Sequence, residues 1–187
     1  NFYGNMGTLC HEFSHCLGLP DFYASGSIIG KWDLMDNGYE GNKPVGYSAH
    51  ERMFMGWNEP VELKADTVIT QMKAMSDSYE AYLIRNDGYA DEYYIVENRC
   101  RKGWDSVLPG DGVVIFHVDF DEVAWTSPTT TINQRYGKRR YDVFHASNKS
   151  SAQSEWVGKE IGFFHSLGRT ESIHFFIVDG TPHSGNP

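Results

Sequence analysis

Two histidines four positions apart, His11 and His15, are the residues of this chain best placed to do chemistry together, and Glu12 stands beside the first. On a helix that spacing is about one turn and about 6 Å of rise, so both imidazoles project from one face toward a common point. Neutral imidazole nitrogens bind Zn²⁺ at about 2.0–2.1 Å, and a helix orients both rings before the ion arrives. Glu12 lies about 100° round the helix from His11, a poor angle for a third ligand but a good one for a general base that holds a water beside the ion. Catalytic zinc takes three protein ligands and keeps a fourth position open, so one more ligand must come from outside the helix. Asp21 is the candidate, because Gly18 can adopt the left-handed conformation that ends the helix and turns the chain back beneath the histidines. His11, His15 and Asp21 are therefore the expected zinc ligands, and Glu12 is the expected catalytic base.

The elements that must position these residues follow from local signals. Residues 5–17 read as a helix, with Asn5 as N-cap and Gly18 and Pro20 as stop signals. Met6, Cys10, Phe13 and Leu17 fall within about 60° of one another on that helix and are expected to form its packed apolar back face. Residues 22–47 form a Gly-rich loop of the kind that wraps a site, and Ser48 with Glu51 is a capping-box pattern opening a short helix that Gly56 can end. Beyond Pro60 the texture changes to short β-prone runs at residues 67–72, 81–85, 93–97, 113–118, 141–145 and 172–178. Turn chemistry at residues 86–88 and 109–112 separates some of these runs. Residues 126–140 read as a long polar loop, with Arg135, Lys138, Arg139 and Arg140 as a solvated basic tip. The expected fold class is α+β, with a metal-binding part over residues 1–60 and a β-rich, antiparallel, sandwich-like part over residues 61–187.

Composition narrows the function classes. The 187 residues include 27 aromatics and carry 16 basic against 25 acidic side chains, a formal net charge of -9, which repels phosphate backbones and argues against nucleic acid as a partner. No apolar run approaches the roughly 18 residues of a membrane span. Three cysteines are too few for a disulfide scaffold, and Cys10 and Cys16 read as small buried hydrophobes. His50 and His117 read as structural histidines, on a capped helix and within a strand. Asp119 and Asp121, with Glu122 beside them, offer oxygens for Ca²⁺, but a solvated turn is the favoured reading.

The pattern His11-Glu12-x-x-His15-x-x-Gly18-x-x-Asp21, followed by Trp32, Asp33, Leu34, Met35 and Asp36, resembles the metzincin clan, and most closely the immune inhibitor A family of secreted bacterial metallopeptidases. Residues 18–23, 44–49, 56–57, 92–99, 103–105, 108–110 and 112–119 are also similar to segments of that family, so the resemblance covers about residues 5–125. It implies a zinc endopeptidase that acts on protein or peptide substrates outside the cell or at its surface. It further implies that Met35 is the Met-turn residue, an apolar floor below the ion and no ligand. Such enzymes place an upper subdomain before the zinc helix, whereas ten residues precede His11 here, so the chain is expected to be a fragment that exposes surface this subdomain would cover. Tyr39 and Tyr47 are both candidates for stabilising an oxyanion. The rival reading is a non-catalytic module whose zinc stabilises a β-rich binding or adhesion fold; its weakness is Glu12, since a purely structural zinc is usually closed by four Cys or His ligands.

Overall fold

The computed structural model describes residues 5–65, 67–127, 132–134 and 138–146, and the expected strand at residues 172–178 lies outside them. Its first helix, α1, spans Met6–Cys16. The Asn5 side chain accepts the Thr8 backbone N–H at 2.9 Å, which satisfies one of the donors a helix start leaves open. Leu17 is the C-cap, and Gly18 follows at φ 104°, a left-handed conformation that a side chain would strain.

The packed face of α1 differs from the expected one. Gly7, His11 and Ser14 are buried, whereas Met6, Leu9 and Phe13 are exposed by 49%, 60% and 58%. The reason lies at Gly7, where an added Cβ would stand 1.9 Å from the Tyr39 carbonyl oxygen. The helix thus packs its small and polar side against the backbone of the loop after it, and the apolar stripe is left outside. Cys16, expected in the interior, is exposed, and Cys10 is half-buried.

A short 3₁₀ turn at Gly30–Trp32 interrupts the loop, and α2 follows at Ala49–Phe54. Ser48 and Glu51 form the expected capping box, with Glu51 accepting the Ser48 N–H at 2.6 Å. The fold is α+β. The described strands make one five-stranded sheet of order β1 to β5, namely Val61–Glu62, Ala81–Asn86, Tyr89–Arg99, Gly112–Asp119 and Tyr141–Ala146. The pair β1–β2 is parallel and the other neighbours are antiparallel, so the sheet is mixed.

The described strands of the expected sandwich-like part make this one sheet, and residues 147–187 of that part lie outside the described residues. The first part of the chain packs on the sheet: Leu19, Phe22, Trp32, Leu34, Met35 and Ala49 share one apolar cluster with Leu83, Ile95, Phe116 and Tyr141. The core therefore runs continuously across residue 60. Residues 67–72, expected as a strand, form none; Val68 is 85% exposed and Gln71 sits at φ 57°, which breaks an extended run. Three short helices were not expected: α3 at Met75–Ser78, a 3₁₀ helix at Gly103–Val107, and α4 at Glu122–Thr126. None of the described helices is long and apolar enough to cross a membrane.

A buried cation joins the loop to the sheet. The Arg99 guanidinium, on β3, bonds Asp105 through two nitrogens at 2.9 and 2.8 Å and Glu97 at 2.9 Å, and reaches the Gly46 carbonyl at 3.0 Å. Asp105 in turn accepts the Gly46 N–H, and Glu97 accepts the Ala49 N–H. A guanidinium with planar partners on both sides is a stiff connection, and losing either partner would strand a buried charge. It ties the segment between Trp32 and α2 to the sheet.

Candidate metal centre

His11 and His15 leave α1 from adjacent turns, and their rings meet edge to face with centroids 4.9 Å apart. Each ring is anchored by its Nδ1, which lies 3.0 Å from the Leu34 carbonyl in His11 and 2.8 Å from the Leu19 carbonyl in His15. A carbonyl can only accept, so both Nδ1 atoms carry the proton and both Nε2 atoms present a lone pair in the neutral rings. This is the arrangement that orients metal-binding histidines, the backbone acting as the outer partner.

Asp21 completes the group. After Gly18 turns the chain, residues 19–24 run without helix or strand, and their backbone is clamped from two sides. The Phe22 N–H donates to the Met35 carbonyl, and the Ile132 N–H donates to the Asp21 carbonyl. The Asn133 amide donates to the Phe22 carbonyl as well. With Phe22 fully buried in the core, the clamped segment turns Asp21 toward the histidines. Its Oδ1 stands 3.2 Å from Nε2 of His11 and 3.3 Å from Nε2 of His15.

Oδ1 is buried and has no hydrogen-bond donor. Three electron-rich atoms thus face one another, an arrangement that costs free energy unless positive charge enters it. A proton on Nε2 of His11 or a cation among the three would supply it. Burial works to lower the His11 pKa, yet the bonds to Asp21 and Leu34 outweigh it and hold the imidazole above the ordinary histidine value. Burial likewise works to raise Asp21, but the neighbouring His11, Tyr23 and His15 side chains outweigh it and hold it below the ordinary carboxylate range.

The distances also suit an ion. Donors at about 2.0–2.2 Å from a tetrahedral zinc stand about 3.3–3.6 Å apart, close to the spacings between Oδ1 and the two Nε2 atoms. Among the described residues, His11, His15 and Asp21 are the one group of three or more His, Cys, Asp or Glu side chains with ligand atoms within 4.8 Å of one another.

Glu12 is exposed and stands outside this donor group, but its charge raises the pKa of both His11 and Tyr23, which places it beside the site. Met35 is fully buried, and its carbonyl holds the Phe22 N–H below Asp21. Of the two tyrosines singled out, Tyr39 packs its ring 4.6 Å from that of His11. Tyr47 has its hydroxyl 2.7 Å from Ser14 Oγ and its ring against Trp57, so that phenol is already engaged.

His50 is enclosed by Phe22, Tyr93, Trp125 and Tyr141, and burial pushes its pKa down to about 3. His117 bridges Glu92 and Asp142 across three strands, at 3.0 and 3.4 Å. Both histidines serve the fold. The acidic turn differs from the expected solvated one. Asp119 is buried and pairs with Lys138 and Arg140, while Asp121 caps α4 and pairs with Arg140 at 3.1 Å. Arg140, expected at a solvated tip, is itself buried and supplies the positive charge there.

Sequence reasoning missed Tyr23, whose phenol lies near enough to the Asp21 carboxylate to feel its charge. Burial and then Asp21 push that phenol up to about 12. Its position two residues beyond Asp21 was the available signal. In comparisons with protein-family models, curated proteins and solved structures, none matches this chain.

Proposed function

We propose that this chain carries the catalytic centre of a zinc-dependent endopeptidase of the metzincin clan, most similar to the immune inhibitor A family, exported and acting on protein or peptide substrates. The observation that carries the reading is the buried Asp21 Oδ1, donorless and 3.2–3.3 Å from two imidazole lone pairs. Two imidazoles and one carboxylate are a donor set that suits zinc and leaves a fourth position open. In this reading α1 is the zinc helix, Met35 is the Met-turn residue and α2 is the closing helix.

His11, His15 and Asp21 would hold a zinc ion, which when bound would supply a Lewis acid for water and for a peptide carbonyl. Glu12, exposed beside the donors, takes the proton from the attacking water and returns it to the leaving amine. The Leu34 and Leu19 carbonyls keep both Nδ1 atoms protonated, so Nε2 remains the donor throughout. Tyr39, against His11, is the better placed of the two tyrosines to meet a developing oxyanion.

The test is metal removal. Casein cleavage by the natural protein should cease after exhaustive treatment with a zinc chelator and return on addition of one equivalent of Zn²⁺. Cleavage that survives removal of all metal would overturn the proposal.

A further inference from the structure

Resting on the metal-site reading above, we infer that Tyr39 is a positioning residue, whose ring sets the plane of the His11 imidazole and so the direction of its Nε2 lone pair. The bond between Nδ1 and the Leu34 carbonyl, at 3.0 Å, fixes one edge of that imidazole. A single bond lets the far edge rock about it, and Nε2 is on the far edge. The Tyr39 ring limits that motion on one side: its centroid stands 4.6 Å from the imidazole centroid at an interplanar angle of 50°. A metal site needs its ligands locked by packing as well as by outer hydrogen bonds. The two histidines differ in this respect. The His11 side chain is 6% exposed and the His15 side chain 34%, and among the described residues His15 meets no ring but that of His11.

One loop supplies both contacts. Leu34 and Tyr39 belong to a turn in which the Gly38 N–H donates to the Asp33 carbonyl at 2.7 Å. Gly38 comes so close that an added Cβ would collide with that carbonyl and with the Val45 side chain. The Asp36 carboxylate ties the same turn to the preceding chain by accepting the N–H groups of Ile28, Ile29 and Gly30 at 2.7, 2.6 and 3.0 Å. From the other side, the Gly7 N–H donates to the Gly41 carbonyl at 3.3 Å, and the missing side chain at Gly7 lets α1 lie on the Tyr39 carbonyl. Gly7 stands about one helical turn before His11, so the helix that carries the imidazole also holds the Tyr39 backbone. The distance between the two rings is therefore set by backbone contacts and does not require the phenol hydroxyl.

The experiment compares the protein with its Tyr39→Leu and Tyr39→Phe variants. Leucine keeps an apolar side chain but loses the flat ring, and phenylalanine keeps the ring but loses the hydroxyl. Zn²⁺ affinity is read by competition with a chromophoric chelator, and coordination by the visible absorption of the Co²⁺-loaded protein at saturating cobalt. The leucine variant should bind zinc about 10- to 100-fold more weakly, with cobalt bands that differ from those of the parent. The phenylalanine variant should match the parent in both. The cobalt spectrum is read per bound ion, so a general loss of stability would not alter it. A leucine variant that binds zinc as tightly as the parent would overturn the role of the ring. So would a phenylalanine variant that loses affinity, a result that needs only the more conservative substitution to fold. Failure of the unsubstituted protein to bind either ion would instead overturn the reading on which that role rests.

Discussion

Replacing Glu12 by alanine should lower peptide cleavage by the natural protein about a thousandfold, within the range assigned to general acid–base catalysis, and leave one zinc bound per chain. The two halves of that result have separate physical sources. Glu12 lies outside the group formed by His11, His15 and Asp21, so its removal costs no ligand. It is exposed, so its removal opens no cavity. What is lost is the carboxylate that relays a proton between water and the leaving amine. A module whose metal is purely structural would have no peptide cleavage to lose on this substitution. Undiminished cleavage by the alanine variant, with its zinc retained, would exclude Glu12 as the base.

The second large effect is expected at Asp21. Asp21→Asn should weaken zinc binding by at least about a hundredfold, because partners one step further out already cost 10- to 100-fold. The same change should leave the metal-free protein no less stable at pH 8 than the parent, since the amide N–H can donate to one of the Nε2 lone pairs that Oδ1 merely confronts. The pH dependence has a definite sign. His11 has a raised pKa, so its contribution is complete below the ordinary histidine value and is lost as pH rises through the folded one. Asp21 has a lowered pKa, so its contribution is present above the ordinary carboxylate value and lost as pH falls through the folded one. The metal-free parent should therefore lose stability on going from pH 6 to pH 9, and Asp21→Asn should flatten that fall. Urea midpoints across this range measure it; a parent that gains stability with rising pH where the variant does not would contradict the charge assignment.

Much of the site was legible because its logic is local. The His11 and His15 spacing, the Asn5 cap, the turn at Gly18 and the capping box of Ser48 and Glu51 all act within a few residues, and each appears where the sequence suggests. The strands around Leu83, Ile95 and Phe116 were legible for the same reason, as β-prone runs bounded by turns. What failed was whatever depended on a distant partner. The apolar residues of α1 suggested the wrong packed face, because the partner of that helix is the backbone of the Tyr39 loop, which admits only glycine at position 7. Arg140 looked like a surface cation because its carboxylate partners, Asp119 and Asp121, lie some twenty residues earlier in the chain. Arg99 gave no signal at all, since a guanidinium is costly to bury until Glu97, Asp105 and the Gly46 carbonyl are assembled around it.

The most direct measurement is ¹⁵N NMR of the imidazoles while Zn²⁺ is titrated into the metal-free chain. The account predicts that at one equivalent the Nε2 resonances of His11 and His15 move to metal-coordinated values, with both Nδ1 atoms still protonated and with His50 and His117 unmoved. Saturating zinc that leaves the His11 and His15 nitrogens unchanged would contradict it.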